Sequence, residues 1–283
     1  MAHVMACIDG SRNALAVCDY AAWAGKRLDA ALEFLHVLGK SDYPVPTDFS
    51  GNIGLGSREH LLQELAERDE KRGRLALEQG RLMLEGARAR AIATGIEPLI
   101  VRQRHGELVD TLQELENDIR LLVIGRQREQ SASLGGPLGS QLENVVRTLH
   151  RPILVVPADY REPQRILIAF DGSPTTRQGV EWVASSPLFR GLACHVVIVG
   201  ADRDEHRAQL EWARATLASA GHAVTAHLRS GAVEDALDAH VFEHAIDLIV
   251  MGAYGHSRIR EFLLGSTTTH LLRKSTVPLL LLR

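Results

Sequence analysis

The sequence predicts an α/β protein of two tandem doubly wound domains, each a five-stranded parallel sheet with helices on both faces. Three observations predict it. Short apolar runs alternate with helical stretches along the chain, the pattern of parallel strands covered on both faces. The pattern occurs twice. Val4-Met-Ala-Cys-Ile-Asp9-Gly10-Ser11 returns as Ile166-Leu-Ile-Ala-Phe-Asp171-Gly172-Ser173, and Leu121-Leu-Val-Ile-Gly125 returns as Leu248-Ile-Val-Met251-Gly252. Leu138-Gly139-Ser140, with Arg147 and Pro152 after it, returns as Leu264-Gly265-Ser266, with Arg273 and Pro278 after it. Finally, 283 residues suffice for two buried cores. The polar, proline-bounded stretch Pro157–Pro163 reads as the linker between domains 1–158 and 164–283.

The elements follow in order. Strand 1 is expected over Val4–Asp9, and Asp9-Gly10-Ser11 caps a helix running to Gly25. Strand 2 covers Leu32–Leu38, and an open proline- and glycine-bearing stretch follows to Ser57. A long polar helix spans Arg58–Ala93, with breaks expected near Gly73, Gly80 or Gly86. Strand 3 is read as Glu97–Val101, a helix as Glu107–Glu116, strand 4 as Leu121–Ile124, a helix as Gln141–Leu149 and strand 5 as Ile153–Val156. The second half repeats this plan with a shorter connection over Ala201–Gly221. In a doubly wound sheet ligands sit at the carboxyl ends of the strands, so Asp171 and the loop after Met251 converge there.

Composition removes several function classes. A formal net charge of −3 gives no basic groove for nucleic acid and no membrane-surface patch. No apolar run reaches the ~18 residues of a membrane helix, and Met1-Ala-His-Val already starts a strand, without the regions of a signal peptide. Cys7, Cys18 and Cys194 lack C-x-x-C spacing and read as buried thiols in a reducing compartment. The expectation is a soluble, cytoplasmic protein.

The chemistry concentrates after strand 4 of the second half. Glycines where a strand ends let the backbone approach a bulky ligand. A glycine ahead of a helix presents unpaired amides and the positive dipole end to phosphate. The stretch Gly252-x2-Gly255-x9-Gly265-Ser266-Thr267 resembles the nucleotide-binding signature of the universal stress protein family, and with the repeat the resemblance covers nearly the whole chain. It implies two domains of the adenine-nucleotide α-hydrolase-like fold. It further implies ATP contacts from Asp171 at the end of strand 1, Val199 late in strand 2, and Met251, Gly252, Gly255, Gly265, Ser266 and Thr267, with Mg2+ accompanying the phosphates. Asp9 and Val37 are the matching positions of the first half. That half departs from the pattern: Gly125-Arg-Gln-Arg128 puts a side chain where the second glycine belongs, and Gly125 to Gly139 is one residue longer than Gly252 to Gly265. Ordinary ATP binding is therefore expected in the second half alone. Asp171 also serves as a helix-start residue, and Thr268 and Thr269 are assigned to the helix itself.

Other motifs point nowhere. His240-Val-Phe-Glu-His244 spells the H-x-x-E-H of a metalloprotease, but it precedes strand 4, away from the crevice, and reads as a chance match. The remaining histidines are scattered singly, so no metal site is expected. No Walker loop or G-x-S-x-G elbow occurs. The predicted site offers amides, hydroxyls and one aspartate without a lysine clamp or base, so no catalytic residue is assigned and any ATP hydrolysis should fall well under ~1 s⁻¹. The resulting expectation is an ATP-binding protein with a regulatory or protective role in the stress response. The alternatives are a scaffold acting through protein partners and an adenylating enzyme of a related fold, whose SGG-x-DS or HIGH signatures are absent. Strand 5 of each half, Ile153–Val156 and Leu279–Leu282, would be an apolar sheet edge. The two are expected to pair antiparallel within one chain as a pseudo-dimer, with a further homodimer left open.

Overall fold

The computed structural model describes residues 2–39, 55–126, 140–253 and 264–283. The first half contributes β1 (His3–Cys7), β2 (Leu32–Leu38), β3 (Leu99–His105), β4 (Ile119–Gly125) and β5 (Ile153–Val156). The second half contributes β6 (Arg165–Ala169), β7 (Ala193–Val199), β8 (Ala223–Arg229), β9 (Leu248–Gly252) and β10 (Leu279–Leu282). Within each half all neighbours are parallel. The ten strands form one sheet in the order β3-β2-β1-β4-β5-β10-β9-β6-β7-β8. At its middle β10 runs antiparallel to β5, with Leu279 opposite Val155, Leu280 opposite Leu154 and Leu281 opposite Ile153. The expected edge pairing is the seam of the molecule.

Helices cover both faces. On one lie α1 (Ala14–Leu28), α2 (Leu55–Ala93), α5 (Pro174–Ser185) and α6 (Asp204–Ser219); on the other lie α3 (Leu108–Glu114), α4 (Ser140–Thr148), α7 (Val233–Glu243) and α8 (Ser266–Lys274). Strand side chains alternate between these faces. Leu154, Val156 and Leu280 join one apolar layer, and Ile153, Val155, Leu279 and Leu281 join the other. Each layer crosses the seam, so the halves share their core. The linker is fixed as well: Tyr160 packs edge-on against Tyr20 at 4.7 Å, the Arg161 amide donates to the Tyr20 hydroxyl at 3.2 Å, and Arg161 pairs with Asp247 at 3.1 Å.

Three expectations need correction. The first helix is not capped by the Asp9-Gly10-Ser11 turn: it starts at Ala14, with Asn13 at its N-cap and no side-chain cap, and runs past Gly25 to Leu28. Strand 3 starts after Pro98 and runs to His105, beyond the expected Glu97–Val101. Its polar end, Arg102-Gln103-Arg104-His105, fits an outer strand with one side open to water, and so carries no apolar signal. Arg102 turns back to the fully buried Glu33 at 2.7 Å, and His3 approaches the same carboxylate at 3.0 Å. The long helix runs from Leu55 to Ala93 without a break, about 58 Å at 1.5 Å per residue. Gly80 is one reason it tolerates glycine: a Cβ there would lie 2.6 Å from the His36 ring and 2.4 Å from the Gln103 amide. The glycine lets α2 close on β2 and β3. Around Gly86 there is nothing within 4 Å.

These glycines make opposite predictions. Gly86→Ala should stabilise the protein by roughly 1 kcal/mol, the helix-propensity difference, whereas Gly80→Ala should fail to stabilise it because the His36 ring must move. Urea midpoints check both. For the seam, Leu281→Pro puts a proline into a central strand and removes a buried leucine, at a cost on the order of 3 kcal/mol or more. Limited proteolysis should then cut within 157–163 faster than in the parent.

Candidate functional site

The second-half site begins at the turn after β6. Ser173 caps α5, its Oγ accepting from the Thr176 amide at 3.3 Å, and Pro174 occupies the first helical turn. Asp171 braces the turn: its Oδ1 accepts from the Ser173 amide at 2.9 Å and from the Thr176 hydroxyl at 2.7 Å. Gly172 joins them at φ +75°, where a Cβ would also lie 2.4 Å from the Gln209 amide. The positive φ favours glycine at position 172, whereas the Gln209 amide, at the end of a flexible side chain, can move aside.

Opposite this turn, β9 ends at Gly252, and Gly265 is the N-cap of α8. Gly265 has no side chain to cap the helix, and helix geometry leaves the first amides, those of Ser266, Thr267 and Thr268, without partners inside it. Gly265 sits at φ −59°, a conformation open to any residue, so its use rests on close approach. Thr268 is buried and donates to the Gly252 carbonyl at 3.3 Å, tying α8 to β9. This matches its assignment to the helix.

Between the two turns lies an open cleft of about 180 Å³ at the carboxyl ends of the strands. Asp171, Val199, Met251, Gly252, Gly265, Ser266 and Thr267 all line it. Gly255 lies outside the described residues. The structure adds Thr176, Val233 and Leu237 to the lining, and the Oε1 of Glu234 accepts from the hydroxyl of the lining residue Thr267 at 3.0 Å. Val233, Glu234 and Leu237 come from the first turns of α7. Only their spacing of three and four residues on one helix face could have flagged them in sequence.

The first half has its own cleft, of about 260 Å³, lined by Asp9, Gly10, Val37, Gly125 and Gln141 among others. Asp9 accepts from the Ser11 amide at 3.1 Å, repeating the Asp171 turn. Here Asn13, 4% exposed, donates to the Arg126 carbonyl, and a Cβ on Gly125 would lie 2.8 Å from that of Asn13. Gly125 is thus already required by packing. Arg128 and Gly139, on which the departure from the nucleotide signature rests, lie outside the described residues. Burial pushes the Cys7, Cys18 and Cys194 thiols up to about 12, which fits inert thiols. No helix among the described residues is long and apolar enough to cross a membrane.

One reading of the sequence does not survive. The histidines are not scattered singly: His195, His227, His240 and His244 gather between β7, β8 and α7. Only His240 and His244 share a linear spacing, the H-x-x-E-H string read as a chance match; His195 and His227 join them from two strands.

Two doubly wound halves with a cleft at each set of strand ends define an adenine-nucleotide α-hydrolase-like protein in duplicate. The profile of the Universal stress protein family matches residues 1–157 and 162–283, and the chain belongs to that family. It is 33% identical over 287 residues to Universal stress protein Slr1230 of Synechocystis, with all of both chains covered. A universal stress protein from Archaeoglobus fulgidus superimposes with a TM-score of 0.69 at 20% identity, over 99% of this chain and 98% of that one. A putative universal stress protein from Pseudomonas aeruginosa gives 0.62 at 14% identity, over 99% and 92%. These structures share the fold.

The Asp171 turn makes a prediction independent of any ligand. Asp171→Ala removes the acceptor that holds Ser173 and Thr176 and should lower stability by about 1 kcal/mol, the usual effect of losing a helix-start acceptor. A denaturant titration without nucleotide measures it.

Proposed function

We propose that this chain is a nucleotide-binding regulator of the stress response that holds ATP in the cleft of its second domain. The domains are residues 1–158 and 164–283. The observation that carries the reading is the convergence of Asp171, Val199, Met251, Gly252, Gly265, Ser266 and Thr267 on one cleft, with the uncapped amides of α8 at its end. Apolar Val199, Met251 and Leu237 offer a surface for a base, and the α8 amides a seat for phosphate. Mg2+ would accompany the phosphates, and Glu234 places a carboxylate beside Thr267. Among the described residues the site shows no lysine clamp, so retention with slow hydrolysis suits it better than turnover. The buried thiols fit a reducing cytoplasm.

One observation favours a second reading, a stress scaffold that binds no nucleotide. The Glu234 carboxylate lies against Thr267, and negative charge at a phosphate seat opposes the ligand unless a cation intervenes. Calorimetry of the purified protein with ATP and Mg2+ separates the two. One site per chain is expected, and Gly255→Arg, which gives the second loop the arginine that Arg128 brings to the first, should weaken binding at least tenfold. No binding by the parent would favour the scaffold. Two equal sites would refute the assignment to the second domain, and pyrophosphate release with a co-substrate would indicate adenylation.

A further inference from the structure

We infer that His195, His227 and His240, with His244 as the fourth donor, form a binding site for a divalent late transition metal, zinc above all. One ring nitrogen of each of His195, His227 and His240 lies within 4.8 Å of the other two. Tetrahedral zinc with bonds near 2.0–2.1 Å places its ligand nitrogens about 3.4 Å apart. His195 Nδ1 and His240 Nε2 are already 3.2 Å apart, so side-chain turns of about 1 Å complete the triangle. The His244 ring stands over it, its centre 4.2 Å from that of His240, 5.0 Å from His195 and 5.1 Å from His227.

The backbone builds this arrangement. Val197 pairs with His227 in the β7–β8 ladder, so His195, two residues earlier, is the diagonal neighbour of His227 on the same sheet face. His240 and His244 are four residues apart and share the side of α7 above them. The site is thus spanned by two strands and a helix, with His240 fully buried.

A second observation points to a missing ligand. The buried Nε2 of His227 has no hydrogen-bond partner, and an unpaired buried ring nitrogen is costly. Every donor is an imidazole, which suits zinc and its late first-row neighbours and disfavours the oxygen-seeking Mg2+ and Ca2+. Burial is the main cause that lowers the histidines, His195 to about 4 and His240 to about 3, and His227 also falls below its ordinary value. At pH 7 these rings are neutral, the form that ligates.

The charged groups around the cluster set how the ion would enter. Arg229 Nη2 donates to His240 Nδ1 at 3.2 Å, approaches His244 Nε2 at 3.4 Å and pairs with Glu243. Arg165 acts on His195 from β6, with its own Nε donating to the Ala245 carbonyl. With Nδ1 of His240 accepting from Arg229, its Nε2 carries the proton directed at His195. Binding the ion at Nε2 moves this proton to Nδ1, and Arg229 must swing away from that nitrogen. Its side chain is 28% exposed and paired with Glu243, so it has somewhere to go. The guanidinium thus holds His240 in the tautomer that the ion must reverse, and so competes with binding from the opposite side of the ring.

The test uses the untagged full-length chain, stripped with a chelator and free of nucleotide, titrated with Co2+ and then competed with Zn2+. One equivalent of Co2+ should bind with the intense visible bands of a tetrahedral nitrogen site, and Zn2+ should displace it. His227→Gln should weaken binding at least tenfold, and Arg229→Gln should tighten it severalfold. The outer-strand position of His227 keeps that variant foldable, and its circular dichroism melt without metal verifies this. Sub-stoichiometric Co2+, weak octahedral bands, or unchanged binding in His227→Gln would overturn the assignment. Unchanged affinity in Arg229→Gln would overturn the competition.

Discussion

The structure depends on three rungs of antiparallel pairing between β5 and β10. Without them each half would end in an almost wholly apolar strand with open hydrogen-bonding groups, a template for association. With them, Leu279, Leu280 and Leu281 are at most 2% exposed, and the apolar layers on the two sheet faces run through both halves. The strands left at the rims are β3 and β8. β3 carries Arg102, Arg104 and His105, and β8 alternates small, polar and aliphatic residues. Rims of that kind give another chain little to pair with. Because the seam is antiparallel and each half is internally parallel, the strand ends of the halves point in opposite directions. The two clefts therefore open at opposite margins of the sheet.

How much of this was legible in sequence depended on what each residue has to do. The central strands, the repeat and the seam were legible, since a strand buried on both faces must be continuously apolar, as Leu121–Ile124 and Leu279–Leu282 are. The rim strand β3 was only half legible, because Arg102 to His105 meet water on one side and lose the apolar signature. The unbroken α2 was hidden because a helical glycine weighs against a helix unless a neighbour needs the space. The His36 ring does need it at Gly80, but the two are 44 positions apart (80 minus 36).

The same distinction divides the candidate sites. Asp171, Gly252 and Gly265 belong to short contiguous segments, so a linear motif carries them. Glu234 reaches Thr267 from another helix. The histidines meet only because a strand ladder and a helix crossing bring positions 195, 227, 240 and 244 together. Neither contact has a fixed spacing, and a reading tied to spacing passes over both. The H-x-x-E-H string drew notice for a metalloprotease pattern it does not serve. Its two histidines are nonetheless half of the cluster.

The covalent join has a consequence for symmetry. Where two identical subunits meet about a two-fold axis, every substitution appears in both, and a change that spoils one cleft spoils the other. Here the same geometry is made by two stretches of one chain, so Arg128 can stand in one loop and Gly255 in its counterpart, and Asn13 can clamp the Arg126 carbonyl where the repeat places Thr175. The halves are bound to stay together but not to stay alike. One copy can drift in chemistry while it continues to supply half of the common core, so the architecture is conserved by packing and individuality is permitted at each margin.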